Sequence, residues 1–377
     1  MYSELVSDLG KAKKPVLLIG GGCQNYKQEF KALADKLRIP VYATWNALDI
    51  VTSDLPYCAG VVGTYGGPGR NFGIQSSDLL LSIGSRISGR ITGGRPELFA
   101  PNAKKYLVDI DRGVIDYQPV PFDRSFCADA GEFMRGLTPH VSRGPLDWLE
   151  RCIGWKEKYD PVRPEHLKKF HHYGFVRRLS EKLPSNAIVV SDTGGNVIMM
   201  SHCFKSKWGQ RLFTSNGNTT MGFAFCGALG AWFADKTRLI ICLIGDGGFN
   251  MNLQEIQTMV NYGCNVKTFI LNNHVYGNTK LWQKANNKAF LACGPDGYKP
   301  PDFVKIARAY GVRARNMLDW YDFDEVLEDF DDFDEAQIID VVHHDFYDYY
   351  PRISRFDQDL HDQDPPLPRA EIAENMT

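Results

Sequence analysis

RLIICLIGDGGFNMNLQEIQTMVNYGCNVKTFILNNHVYG, residues 238–277, decides how the second half of the chain folds. The run 239–244 is short, apolar and β-rich, which suits a strand buried on both faces. Gly245, Asp246, Gly247 and Gly248 stop it, at the point where a doubly wound sheet opens its ligand crevice. Leu253, Ile256, Met259 and Val260 then recur at helical spacing, and Gly263 stands where a helix would end. A second strand is expected over 266–271, with Asn272 and Asn273 at its carboxyl end. Adjacent parallel strands would bring Asp246 and Asn273 side by side.

Working outward, 377 residues suit two domains of about 150 residues each. A net charge of −2 offers no electrostatic case for nucleic acid or an anionic membrane as partner. No apolar run reaches the roughly 18 residues of a membrane span, and 1–14 lack the apolar core of a signal peptide. The nine cysteines form no CxxC pair, so reduced, mostly buried thiols in a cytoplasmic protein are expected.

Upstream, an amphipathic helix over 1–12 leads into a strand at 15–19, then Gly20, Gly21 and Gly22, then a helix over 27–37. Such a glycine turn serves either a nucleotide phosphate or close backbone packing. Strands follow over 39–43, 78–83 and 105–109, while the glycine-rich 60–69 reads as a loop. Arg86, Arg90 and Arg95 lie beyond a strand's carboxyl end, placed either to hold a phosphate or to sit in salt bridges. Residues 142–172 read as a linker with some helix. A helix over 173–183, a strand over 187–190 and a small-residue helix over 223–233 precede the opening stretch. Beyond it come a helix over 280–287, a Gly/Pro loop at 294–301, a helix over 303–310 and a short strand near Val312. An amphipathic surface helix over 319–335 and a closing strand over 337–342 follow. The tail from 346 lies over a neighbouring surface or is partly disordered. His171, His172, His343 and His344 lack ligand partners at a recognisable spacing, so surface or core roles are expected. Repeated βα units give an α/β class: two three-layer domains with parallel sheets, at 1–141 and 173–345.

A diphosphate needs backbone N–H donors and a hard cation. Gly247 and Gly248 at a strand-to-helix turn supply the donors, because no Cβ obstructs approach. Asp246 offers a carboxylate oxygen and Asn273 an amide oxygen, enough for Mg2+, which takes few protein oxygens beside phosphate and water. GDG alone also fits an ordinary turn with an incidental Asp.

GDG (245–247), then 24 residues (248–271), then NN is far more specific. The pattern resembles the signature of thiamine-diphosphate enzymes of the acetolactate synthase group. SDTGGN (191–196), TTMGFAF (219–225), GDGGFNMNLQEI (245–256) and ILNNHVYG (270–277) carry the resemblance. SIGSRISGRITGG (82–94) and YLVDIDRGVID (106–116) look like that group's central, Rossmann-like domain, and GNTKLWQ (277–283) keeps the tryptophan of its substrate pocket. The resemblance implies a carboligase that decarboxylates a 2-oxo acid such as pyruvate and transfers the two-carbon unit to a carbonyl acceptor. Simple decarboxylation is the alternative. It further implies Mg2+ ligation by Asp246, Asn273 and the carbonyl of Val275, and a diphosphate lined by Gly195, Asn196, Gly245, Gly247 and Gly248. Met221 would bend the cofactor, Thr219 would offer it a carbonyl, and Trp282 would face the substrate. On residue type alone, Met221 and Trp282 also fit core or interface roles.

Departures sharpen the expectation. In the group, a pyrimidine-binding domain carries a glutamate that activates the cofactor, and no glutamate here occupies its place. A partner chain supplying that domain, a fragment of a longer chain, and a non-catalytic cofactor-binding subunit each fit. The group works as dimers or tetramers, so a homo- or hetero-oligomer is implied. Asn278 and Thr279 stand where the group carries apolar Met and Val, which suits a hydroxylated acceptor such as a keto-sugar. The segments at 63–69 and 84–95 fall where the group's central domain often binds FAD, and leave room for it.

Overall fold

The computed structural model describes residues 2–215, 217–286, 289–328, 335–343, 347–355 and 357–377. They form two units, 1–161 with 350–377, and 162–349. Each is built on a six-stranded, all-parallel sheet with helices between the strands, the α/β class expected from the repeated βα pattern.

In the first unit the strands are β1 (Pro15–Ile19), β2 (Val41–Ala43), β3 (Cys58–Val61), β4 (Leu79–Ile83), β5 (Lys104–Asp109) and β6 (Arg124–Cys127). Their order, β3-β2-β1-β4-β5-β6, reverses between β1 and β4. Both central strands are buried along their whole length, which explains their unbroken apolar sequence. The segment 60–69, read as a loop, is shared out instead. Gly60 and Val61 end β3, and Pro68 and Gly69 open the helix Pro68–Gln75, because proline's fixed φ suits a first helical turn.

Residues 142–172 divide. The helix Leu146–Lys158 packs into the first unit, where Trp148 donates its indole N–H to the Pro15 carbonyl (3.1 Å). Trp155 stacks edge-on against Trp148 at 5.7 Å between ring centres. The tail from 350 returns to the same unit. Gln363 bonds both Gly63 O (2.8 Å) and Gly67 N (2.9 Å), and the helix Arg369–Met376 buries Ile372. Asn375 Oδ1 accepts from Trp155 (2.7 Å), and Tyr159 donates to Glu371 (2.6 Å).

The second unit holds β7 (Ile188–Ser191), β8 (Arg211–Phe213), β9 (Ile240–Gly245), β10 (Val266–Asn272), β11 (Arg313–Met317) and β12 (Gln337–Val342). The order β11-β12-β10-β9-β7-β8 reverses between β7 and β9. The helix Phe223–Ala234 packs on β7 and β9, and Phe225, Phe249 and Phe303 stack in sequence at 5.0 and 5.4 Å. The helix read from Leu253 onward begins later, as Ile256–Tyr262, and ends at Gly263 in the left-handed region. Ile256 and Met259 face the core, whereas Val260 is 42% exposed and turns outward. The acidic helix runs Trp320–Glu328; its expected continuation, with Phe330 and Phe333, lies outside the described residues, as do Asn287 and His344. His172 is buried with Nε2 at 2.9 Å from Val341 O, a core role. None of the nine cysteines is in a disulfide, and Cys127 and Cys226 are exposed.

Deleting 369–377 should therefore destabilise the first unit by about 3 kcal/mol, from one buried aliphatic side chain and two hydrogen bonds. Urea unfolding followed by Trp148 and Trp155 fluorescence checks this; an unshifted midpoint would refute it.

Candidate functional site

A parallel sheet collects the carboxyl ends of its strands on one edge, and a reversal of strand order leaves a crevice there. In the second unit that crevice lies between β7, which continues to β8, and β9, which continues to β10. Two glycine-bearing turns line it, 191–196 after β7 and 245–248 after β9. The β10 register pairs Leu271 with Gly245, so Asp246 and the Asn272–Asn273 pair leave neighbouring strands at the same level.

Asp246 is 3% exposed. Its Oδ1 accepts the Gly247 N–H at 2.9 Å, and its Oδ2 has no hydrogen-bond partner among the described residues. Burial pushes its carboxyl up to about 7, partly offset by the Gly247 N–H and the nearby Tyr298 hydroxyl. A buried carboxylate with an orphaned oxygen calls for a cation or a proton. The asparagine pair divides its work. Asn272 turns inward, donates to Asp340 Oδ2 (3.2 Å) and accepts from His274 N (3.2 Å). Asn273 stays at the crevice, where its Oδ1 accepts a long bond from Val275 N (3.4 Å). His274 between them has φ 59, a left-handed conformation uncommon for non-glycine residues. Asp246 and Asn273 thus leave neighbouring parallel strands at one level, and a buried carboxylate oxygen with an amide oxygen is a donor chemistry that fits a hard divalent cation.

The glycines are dictated by crowding. A methyl on Gly245 would come within 3.2 Å of Asn196 Nδ2, and one on Gly248 within 2.0 Å of Asp192 Oδ2. Across the mouth, Met221 leans over Gly247, its Cε 3.5 Å from where a methyl there would stand. Thr219 is exposed with φ 52, and Met221 is 38% exposed. Trp282 stands outward on the helix Gly277–Asn286, 57% exposed, while Asn278 lies beside Gly194. The site is therefore polar and buried at its floor, and apolar and open at its lip.

Two residues escaped the sequence reading. Tyr349 reaches in from beyond β12, with its hydroxyl crowding Gly195 and Gly277 and 3.4 Å from Asn273 Nδ2. Nothing local marks it, because it arrives from a segment far along the chain. Asp192 is buried behind the two turns, accepting N–H bonds from Gly222 (3.0 Å) and Ala224 (3.4 Å). Desolvation pushes its carboxyl up to about 6 against those backbone bonds. Its place in SDTGGN, directly after a strand, was the available signal.

At the equivalent strand-order reversal of the first unit, backbone packs closely on backbone. A methyl on Gly20 would lie 2.1 Å from Gly84 O, so these glycines serve backbone contact. Arg90 stacks over Trp45 at 5.6 Å, and Arg95 pairs with Glu97 and Asp359.

Comparison with known proteins agrees. Residues 192–341 match the thiamine pyrophosphate enzyme C-terminal TPP binding domain, and 2–137 the central domain of the same enzymes. The chain is 32% identical over 336 residues to a probable acetolactate synthase large subunit of Methanocaldococcus jannaschii, covering 85% of this chain and 56% of the relative. It is 30% identical over 328 residues to the acetolactate synthase large subunit of Cyanidium caldarium, covering 84% and 55%. With the large subunit of Escherichia coli isozyme 1 it shares 30% over 307 residues, covering 81% and 54%. The chain thus spans about half the length of the curated relatives it matches. Two adjacent domain matches, with a strand-end Asp and Asn in the crevice of the second, place the chain in the thiamine pyrophosphate enzyme family.

Proposed function

We propose that the chain is the cofactor-holding part of a thiamine-diphosphate- and Mg2+-dependent carboligase of acetolactate synthase type. The observation that carries this reading is Asp246, a buried carboxylate with one unpartnered oxygen, beside a glycine turn and Asn273. Asp246 and Asn273, with the Val275 carbonyl, would hold Mg2+; Gly247 and Gly248 would present N–H groups to the diphosphate. When bound, thiamine diphosphate stabilises the carbanion left by decarboxylation of a 2-oxo acid such as pyruvate. The chain's own part is to bind, orient and partly desolvate. Asp246 would fix the cation's charge at the buried floor of the site, Met221 would support the cofactor's bend, and Trp282 would face the incoming substrate. Asn278, beside Gly194, makes the acceptor side polar and favours a hydroxylated carbonyl acceptor.

Activation of the cofactor is assigned to a glutamate from a pyrimidine-binding domain outside these residues, in a partner chain or a further domain, within an oligomer. The large-subunit names of the relatives, which are about twice this span, support that assignment.

Titrating thiamine diphosphate with Mg2+ into wild type and Asp246→Ala tests the cofactor site by calorimetry. Loss of the metal's only carboxylate should weaken binding at least about 100-fold, as uncompensated buried charge partners cost several kcal/mol. Equal heats in both proteins would sink the reading.

The pH dependence follows from Asp246. Its carboxyl sits at about 7 because it is buried, so a proton holds the site at lower pH and must leave before a cation enters. Mg2+ affinity should fall about tenfold per pH unit well below that value and level off above it. Calorimetry at pH 6 and 8, in buffers of different ionisation enthalpy, should find proton release at pH 6 that Asp246→Asn abolishes.

Catalysis is read from pyruvate consumption with and without an added pyrimidine-binding domain. Turnover is expected only with it, and turnover by residues 1–377 alone would refute the assignment of the glutamate.

A further inference from the structure

Asp192 touches both the Gly222 turn and the Gly248 turn. It follows β7 directly, is 2% exposed, and its own N–H donates to Leu243 O of β9 at 2.9 Å. That main-chain bond ties its position to the strand that ends in the Asp246 turn. Its carboxylate then reaches two ways. Oδ2 accepts the Gly222 N–H (3.0 Å) and Oδ1 that of Ala224 (3.4 Å), at the amino end of the twelve-residue helix Phe223–Ala234. An anion belongs at such an end, where N–H groups have no partner within the helix. On its other side Oδ2 lies where a methyl of Gly248 would come within 2.0 Å.

Met221 needs such a brace. It lies between Thr219 (φ 52) and Gly222 (φ 81), two left-handed residues in a stretch with little regular structure. A methionine side chain has three rotatable bonds and adapts to what it meets. Its location is therefore set by where its backbone is held. That backbone is held on one side by Ser215, which accepts from Thr219 N (3.2 Å) and Thr220 N (3.0 Å). On the other side Gly222 is clamped twice, by Asp192 at its N–H and by Asn252 Nδ2 at its carbonyl (3.1 Å).

We infer that Asp192 is a positioning residue, which sets Met221 at a fixed distance from the Gly247 and Gly248 turn. It rests on the cofactor reading above. The diphosphate meets the turn alone, whereas the whole cofactor must meet the turn and Met221 together. Asp192 then governs how well one ligand spans both.

The test compares thiamine diphosphate with inorganic pyrophosphate, each with Mg2+, by calorimetry on wild type and Asp192→Asn. A positioning role predicts a loss of about tenfold or more for thiamine diphosphate and less than about twofold for pyrophosphate, the size expected from one charge-assisted hydrogen bond. A merely structural role would lower both together, and equal losses overturn the inference. In the Met221→Ala background, Asp192→Asn should cost little more, because it acts through that side chain; additive losses overturn it as well. Should Asp192→Asn not fold, Asn252→Ala loosens Gly222 from the opposite side and must show the same split in a smaller measure. Wild type that binds pyrophosphate but not thiamine diphosphate, or neither, overturns the cofactor reading itself and this inference with it.

Discussion

A buried carboxylate without a counter-charge is the constraint on which the second unit depends. Asp246 sits at the carboxyl end of β9 with one oxygen unpartnered, and its burial is unfavourable in the charged form. Sheet geometry keeps it there. β9 and β10 are paired in parallel up to Gly245 and Leu271, so Asp246 cannot retreat to solvent without breaking the central ladder. The surrounding choices follow from leaving room beside that charge. Glycine stands at 247 and 248 because Tyr276 and Asp192 occupy the volume that side chains would need, while Gly245 is more loosely approached by Asn196.

The two sheets offer a controlled comparison. Both reverse strand order, between β1 and β4 and between β7 and β9, so both open a crevice at the same topological place. In the first unit Gly20 and Gly22 are pressed against the Gly84 backbone. In the second the crevice is flanked by two acids raised by burial, Asp192 and Asp246. Topology marks where a ligand can sit in an α/β sheet, and side-chain chemistry decides whether one does.

Much of this was legible in sequence. Strands β1, β4, β9 and β10 are buried on both faces and so carry unbroken apolar runs, and Gly263 marks a helix end because its left-handed φ suits glycine. Asp246 and Asn273 could be paired because parallel adjacency converts sequence distance into proximity. Strands β3, β6 and β8 were not legible: they are three or four residues long, and Gly60, Arg124 and Arg211 break their apolar pattern. Tyr349 and the tail belong to the same difficulty. Their roles are contacts with residues far away in the chain, and an aromatic or a Gln363 carries no periodic signal of its destination. Val260 was misplaced for a subtler reason, since a helix of under two turns past its 3-10 entry buries only two positions.

The lip of the crevice differs from its floor in exposure. Asp246, Asn273, Asn196 and Asp192 are buried and, apart from the Asp246 oxygen, have hydrogen-bond partners within the unit. Met221 and Met251, next to Gly222, are exposed, as is Trp282, roughly one and a half helical turns from Gly277. An apolar side chain left in water forgoes about 1.5–3 kcal/mol of burial. Scattered exposures of this kind are ordinary on a protein surface, but these lie near buried polar groups. The floor can bind a charged group with what this chain provides. The lip is where further surface would be stabilising.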